Sequence, residues 1–130
     1  ILFWQQKKYD VQGFLYWSAT FWDPNEPNSI HDPWEDMATI KHIDEGVYGD
    51  GSLLYPGRKV GIDGPVPSIR FKLLYKGIED FAYLSLLEEK HSKEYVEDVL
   101  NKLILGLSAY EREPNKFLKI RNALGEALSK

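Results

Sequence analysis

The stretch from Gly49 to Leu84 constrains the fold of this chain more than any other part of its 130 residues. Its apolar run Ser52–Tyr55 is short and bounded by turn residues, which predicts a buried strand. A loop rich in glycine and proline follows at Arg58–Pro67. From Ser68 to about Lys90 the apolar residues recur at helical spacing, which predicts a helix of about six turns. We therefore expect a strand, a loop and a long helix in succession.

The apolar side chains of this predicted helix keep to one broad stripe, which indicates one buried face. They are Ile69, Leu73, Leu74, Ile78, Phe81, Leu84 and Leu87. Gly77 lies within the helix at a cost of about 1 kcal/mol relative to alanine, so close packing against a neighbour is expected there. Two further helices are predicted, one over about Ser92–Ser108 and one beginning near Pro114, a favourable first helical residue.

A second strand is predicted upstream, in the aromatic run Phe14–Trp17. This run is nearly continuous in apolar character, as in a strand buried on both faces of a parallel sheet. The polar segment from Ser18 to Gly51 follows it and is predicted to be a long, structured loop. Two such strands cannot make a whole parallel sheet, because each needs neighbours on both sides. Since the chain also begins at Ile1 with the pattern of a helix end, we expect it to be part of a longer polypeptide.

The composition disfavours several classes of function. A net charge of −4 with scattered Lys and Arg makes nucleic acid an unfavourable partner. No apolar run approaches the roughly 20 residues that span a bilayer, so no membrane association is predicted. The absence of cysteine excludes disulfides and thiolate metal sites. His31, His42 and His91 lack the spacing of a metal motif, so neither a metal nor another cofactor is predicted. The compartment stays open.

Four motifs, in this order and at this spacing, carry a family resemblance: GFLYWSATFWD, DPW, GDGSLLYPG and GPVPSIRFKLLYKGIEDFAYL. They resemble the C-terminal part of a domain-of-unknown-function 4091 protein, similar to the catalytic domain of the glycoside hydrolase family 123 type. The resemblance implies an α/β fold: the C-terminal portion of a (β/α)8 TIM-type barrel with about two strands, followed by a long helix and two further C-terminal helices. It divides the chain into residues 1–90, the end of a barrel-like catalytic domain, and residues 91–130, a helical extension packed on it.

The resemblance also implies a chemistry. The family acts on glycosides that carry a 2-acetamido group, as an N-acetylhexosaminidase does, and that group's own oxygen attacks the anomeric carbon while an adjacent Asp-Glu pair assists. The family's pair lies upstream of the part that this chain resembles. No catalytic residue is therefore expected, and the chain alone is predicted to be inactive. Asp44-Glu45 and Glu35-Asp36 are acidic pairs in the predicted long loop, and we interpret them as ordinary loop acids.

In a barrel of this kind the active face lies at the carboxyl ends of the strands. Trp17, Trp22 and Trp34 are therefore candidates for the aromatic walls of a carbohydrate site, with core packing as the alternative. Tyr16 is a further candidate, but neighbours in a strand point to opposite sides, and the sequence leaves open which of the two faces inward. Asp50, between two glycines, either forms a turn or reaches a sugar hydroxyl.

Charged residues of the long helix are predicted to serve the fold. Arg70 lies in the first turn, where a cation opposes the helix dipole, so an anionic partner is expected. Glu79-Asp80 is predicted to pack or cap between helices. Two other functions stay open, a non-catalytic carbohydrate-binding module and a structural or interaction module. The predicted partners are a carbohydrate ligand and either the upstream part of the same polypeptide or a second copy of the chain.

Overall fold

The computed structural model describes residues 1–22, 32–36, 38–40 and 47–129. Contacts within the chain divide it into two units. The first, called the helical unit, comprises Ile1–Phe14 and Tyr75–Lys130. The second, called the turn unit, comprises Leu15–Leu74.

The described residues form four α-helices: α1 Leu2–Lys8, α2 Ile69–Lys90, α3 Lys93–Asn101 and α4 Pro114–Ser129. Helix α2 confirms the predicted long helix. Its N-terminus is capped by Ser68, whose Oγ accepts the N–H of Phe71 at 3.2 Å. Helix α4 begins at Pro114, as predicted. None of the described helices combines the length and the apolar character that crossing a membrane requires.

Helix α3 is shorter than predicted. It ends at Asn101 and not near residue 108, because the chain then folds back on itself. In this turn the N–H of Leu105 donates to the carbonyl of Ala109 at 2.8 Å. Leu103 precedes the turn and is nevertheless fully buried. Leu103 and Ile104 are buried without a continuing helix, whereas Leu107, whose spacing also predicted burial, is largely exposed.

The helical unit has an apolar core that contains one buried carboxylate. The core residues are Trp4, Leu84, Leu87, Val96, Val99, Leu100, Leu103, Ile104 and Leu124. Asp80 accepts hydrogen bonds from Nε1 of Trp4 at 2.9 Å and from Nε of Arg121 at 2.5 Å, and so joins α1, α2 and α4. Asp80 thus packs between helices as predicted, whereas Glu79 pairs with Lys76 on the surface at 2.8 Å.

Gly77 permits the close approach of α1 and α2 that the sequence predicted. A Cβ at this position would lie 2.3 Å from Cδ2 of Phe3, which is itself buried. The apolar stripe of α2 is buried toward its C-terminus, at Leu84 and Leu87. Ile78, in contrast, is more than half exposed, because the core residues cluster around the last turns of the helix.

The described residues of the turn unit form four short strands in two antiparallel pairs. They are β1 Ala38–Ile40, β2 Val47–Tyr48, β3 Leu54–Pro56 and β4 Pro65–Pro67, with β1 paired to β2 and β3 to β4. The fold is mixed α/β, but the described strands form no parallel pair as the predicted sheet required. The reason is the short connection between β3 and β4. Gly57–Val60 forms a 3-10 helix and β4 begins at Pro65, whereas a parallel crossover needs a dozen or more residues.

The predicted strand at Phe14–Trp17 is not formed. Leu15 is 88% exposed and Trp17 is 51% exposed, where burial on both faces was expected. Pairing begins only later, at an isolated antiparallel bridge between Thr20 and Ser52. Among the described residues no strand flanks this segment, so it lacks the neighbouring strands that a buried strand of a parallel sheet requires.

Candidate functional site

The turn Gly49-Asp50-Gly51 organises a cluster of aromatic side chains. Oδ1 of Asp50 accepts the hydroxyl of Tyr16 at 2.6 Å, and Oδ2 accepts Nε1 of Trp17 at 3.0 Å. The N–H of Gly51 is shared between the Tyr16 oxygen at 2.9 Å and Oδ1 of Asp50 at 3.1 Å. Tyr16 and Trp17 therefore reach the same carboxylate, which corrects the expectation that they point to opposite sides. Because the segment is not a strand, strand alternation does not apply to it.

Both glycines of this turn are needed for what lies on them. Gly49 has φ 77° and Gly51 has φ 75°, in the left-handed region that favours glycine. A Cβ on Gly51 would lie 2.5 Å from Cζ2 of Trp17, and one on Gly49 would lie 2.5 Å from Cζ of Arg70. The turn thus carries an indole on one glycine and a guanidinium on the other.

Trp17 is held in place but stays open to solvent. Its ring contacts that of Phe21, with 4.8 Å between the centroids, and its N–H is held by Asp50. Half of its surface remains exposed. A fixed and exposed ring loses little conformational freedom when a ligand covers it.

Tyr16 keeps its proton over a wide pH range. Burial, and then the hydrogen bond to Asp50, raises the pKa of Tyr16 above its usual value near 10.0. The phenol is therefore a donor at neutral pH, and Asp50 receives it together with Trp17 and Gly51. Asp50 consequently acts as both the turn residue and the acceptor that orients two aromatic rings.

Among the described residues, Arg70 in the first turn of α2 forms its hydrogen bonds with uncharged groups, whereas the sequence predicted an anionic partner. Its Nη2 donates to the carbonyl of Ser52 and to the hydroxyl of Tyr55, both at 2.7 Å. These contacts tie the beginning of α2 to the segment that follows the glycine turn. A cation is tolerated there because carbonyl and phenol oxygens accept its hydrogen bonds.

The other two candidate tryptophans differ in exposure. Trp22 is half-buried and donates Nε1 to the carbonyl of Leu54 at 2.8 Å, which fits the alternative of core packing. Trp34 donates Nε1 to the carbonyl of Pro56 at 2.8 Å and packs on Tyr55 with 4.9 Å between ring centroids. Trp34 keeps 37% of its surface exposed. It is a second fixed and open ring.

Charged side chains lie beside Trp34. Lys59 bonds to Asp32 and, at 2.6 Å, to Glu35. The hydrogen bond from Lys59 holds the pKa of Asp32 below its usual value. No sequence signal beyond the Asp-Pro-Trp turn points to Lys59 and Asp32 at this site. None points to Tyr55 as a contact of Trp34. Their proximity depends on a fold-back of the chain that no local spacing encodes.

Metal-binding and catalytic side chains are sparse in the described part of the chain. No group of three His, Asp or Glu residues there could hold a metal ion. His91 stacks on Tyr95 with 4.7 Å between ring centroids. His31, His42 and the pair Asp44-Glu45 lie outside the described residues.

The acidic residues close to the two exposed tryptophans form structural contacts. Both oxygens of Asp50 accept hydrogen bonds from within the turn unit. Glu35 is paired with Lys59. The arrangement presents fixed aromatic faces and hydrogen-bonding groups, a combination that suits ligand binding.

The turn unit lies wholly inside a family match. The family described as glycoside hydrolase 123, catalytic domain, matches residues 1–87, which include the glycine turn, both exposed tryptophans and most of α2. No curated protein gives a significant match to the chain. The family match confirms the resemblance to the glycoside hydrolase family 123 type, and it does not test the resemblance to a domain-of-unknown-function 4091 protein. This glycoside-hydrolase-like chain therefore belongs to the glycoside hydrolase 123 catalytic-domain family.

Proposed function

We propose that this chain supplies aromatic sugar-binding walls to a glycoside hydrolase domain that acts on 2-acetamido glycosides. The observation that carries the proposal is Trp17, an indole fixed by Asp50 and Gly51 yet half exposed, within the region that matches the family. Sugars present apolar C–H faces that stack on such rings, while their hydroxyls pair with polar groups nearby.

The candidate residues take different parts in this proposal. Trp17 and Trp34 contact the sugar, because both rings are fixed and exposed. Tyr16 and Asp50 position Trp17. Trp22 anchors the chain to Leu54 and contributes to the wall only indirectly.

Saccharide titration of the purified chain tests the sugar-binding walls. Intrinsic fluorescence is followed as N-acetylgalactosamine is added to the native chain and to Trp17→Ala. Loss of the stacking ring should weaken binding by about tenfold, with partial recovery in Trp17→Phe. The matched control is Tyr95→Ala, an exposed aromatic residue of the helical unit, which should change nothing. Equal affinity of the native and Trp17→Ala chains would refute the proposal.

The chain by itself is proposed to be inactive in hydrolysis. The family's acid/base is an adjacent Asp-Glu pair at a strand end, and the only Asp-Glu dipeptide in this sequence, Asp44-Glu45, lies outside the described residues. We expect no turnover of an aryl 2-acetamido-2-deoxygalactoside by the purified chain. Measurable release of the aryl group that disappears in Glu45→Gln would show that the acid/base lies within these residues.

The architecture proposed is the C-terminal end of a TIM-type barrel over residues 1–90, with residues 91–130 as a helical extension. The family match ends at residue 87, which supports a boundary near the end of α2. Exposed apolar residues on one side of α2, namely Tyr75, Ile78 and Leu86, support a protein partner. In this proposal that partner is the remainder of the barrel polypeptide or a second copy.

The alternative is a non-catalytic carbohydrate-binding or interaction module. The exposed side of α2 is the observation that favours it, because a free apolar helix face is typical of a docking surface. Light scattering tests self-association through this face. A concentration-dependent dimer that Ile78→Glu dissociates would support it, and a monomer at high concentration would count against it.

A further inference from the structure

An open groove in the helical unit, lined by both polar and apolar surface, has no part in the proposed sugar-binding walls. It has a volume of about 650 Å³ and runs along α4 beside α2. Its lining residues are Tyr83, Arg121, Asn122, Gly125, Glu126 and Ser129, and it is called the α4 groove here. We infer that the α4 groove is a second carbohydrate site, which takes a neutral sugar unit independently of the turn unit.

Arg121 is fixed in this groove before any ligand arrives. Its Nε donates to Asp80, which is only 4% exposed, and its Cζ lies 5.8 Å from the centre of the Tyr83 ring. Within the described part of the chain, the terminal amino groups of Arg121 take no hydrogen-bond partner. A guanidinium held in this way can donate to a ligand with little loss of side-chain freedom.

The floor of the groove is bare because of Gly125. Arg121, Gly125 and Ser129 succeed one another at intervals of four residues, so they share one face of α4. A Cβ on Gly125 would meet nothing within 4 Å. The hydroxyl of Ser129 donates to the carbonyl of Gly125 at 2.8 Å and stays close to the helix backbone. The result is a trough along the helix.

The chemistry of the lining selects a neutral, hydroxylated ligand. Arg121 donates hydrogen bonds, Glu126 accepts them and Asn122 does both, which matches the donors and acceptors of sugar hydroxyls. The charge of Arg121 is compensated by Asp80, while Glu126 repels an anionic ligand and the Arg121 guanidinium repels a cationic one. Tyr83 is 38% exposed and supplies an aromatic surface for C–H groups. A wholly apolar ligand would leave the three polar side chains unpaired, at a cost.

The test separates this groove from the tryptophans of the turn unit. Calorimetric titration with N-acetylgalactosamine measures affinity and stoichiometry for the native chain, for Trp17→Ala, for Gly125→Leu and for the variant that carries both substitutions. The leucine fills the trough, and it favours the helix over glycine, so folding is not at risk. Ala123→Leu, an exposed substitution on the same helix, is the matched control.

We expect Trp17→Ala to retain one equivalent of bound sugar and Gly125→Leu to weaken that binding by at least about tenfold, with no change in Ala123→Leu. Binding that Trp17→Ala abolishes and Gly125→Leu leaves intact would overturn the groove but leave the proposed function standing. If Gly125→Leu abolishes binding and Trp17→Ala leaves it intact, the groove stands and the proposed function is overturned. Competition by inorganic phosphate would also overturn the inference, because it would identify an anion site. A native chain that binds no sugar would overturn it as well.

Discussion

Two tryptophans, one in each unit, donate their indole N–H to an aspartate and end in opposite environments. Trp4 donates to Asp80 at 2.9 Å in the helical unit, where both residues are buried. Trp17 donates to Asp50 at 3.0 Å in the turn unit and stays half exposed. The hydrogen bond is of the same kind, so the surrounding packing makes the difference. Aliphatic residues of three helices surround Trp4, whereas Trp17 rests on a glycine.

The buried indole of Trp4 contributes to stability, whereas the exposed indole of Trp17 remains accessible to a ligand. A buried aromatic side chain gives its whole surface to the core. Asp80 gains a further partner in Arg121, which compensates its charge in a dry setting. An exposed indole contributes less to folding, but the hydrogen bond from its N–H fixes the orientation of the ring. The helical unit is therefore expected to hold most of the stability, and the turn unit to carry ligand contacts.

Truncation of the two indoles gives the largest expected contrast. Trp4→Ala should lower the free energy of unfolding by about 3–5 kcal/mol, because it leaves a large cavity and an unpaired Asp80. Trp17→Ala should cost about 1 kcal/mol, since half of that ring is already in water. Urea unfolding followed by far-UV circular dichroism measures both. Equal losses of unfolding free energy would show that the two indoles contribute equally to stability.

Glycine substitutions in the helical unit should act in opposite directions. Gly77→Ala forces a methyl group against the buried ring of Phe3 and should cost about 1–3 kcal/mol through overpacking. Gly125→Ala meets nothing within 4 Å and should gain up to about 1 kcal/mol, the usual preference of a helix for alanine. Thermal unfolding of the pair gives the answer, and a stabilised Gly77→Ala would mean that α1 does not approach α2 so closely.

Glycine substitutions in the turn unit should differ in what they displace. Gly61→Ala has φ 74° and open space, so it should cost only the backbone strain of about 1–2 kcal/mol. Gly51→Ala adds the displacement of Trp17 to the same strain. The difference appears in the fluorescence that Trp17 contributes, obtained by subtracting the spectrum of Trp17→Phe. An unchanged Trp17 signal in Gly51→Ala would show that the ring does not rest on this glycine.

The smallest expected effect is alkaline. The pKa of Tyr16 is raised by burial and by Asp50, so the folded chain holds this proton more tightly than the unfolded chain. The resulting stability is complete below the usual tyrosine pKa near 10.0 and is lost as the pH rises through the higher folded value. Unfolding between neutral pH and strongly alkaline pH should show this decline. Tyr16→Phe should remove that part of it, and an identical profile in the variant would contradict the account.

Local signals were sufficient for α2, for the beginning of α4 and for the turn, but not for the end of α3. The repeat of apolar residues predicted α2 to Lys90, and proline at position 114 predicted the beginning of α4. Asp50 between glycines predicted a turn, and two positive φ angles flank it. These features depend on residues within one or two turns of each other, so the sequence contains the information directly.

The site could be predicted only in part. Tyr16, Trp17, Trp22, Trp34 and Asp50 were named from the sequence and all lie in the turn unit. Their contacts were not foreseen: Trp17 meets a carboxylate that is 33 residues away, and Trp22 reaches a carbonyl 32 residues away. The rule of strand alternation also failed, because Phe14–Trp17 is apolar without being a strand. Aromatic character alone does not distinguish a buried strand from an exposed binding segment.

The sequence by itself determined the helices, the glycine turn and, through its motifs, membership of a glycoside hydrolase family. Each of these is written in neighbouring residues or in the order of short segments. Only the tertiary structure decided which tryptophan is buried and which is exposed, that Arg70 binds a carbonyl and a phenol, and that the apolar stripe of α2 is buried mainly toward its C-terminus. The physical reason is that burial and hydrogen-bond pairing depend on which distant segments meet, and apolar or charged character alone does not select those partners.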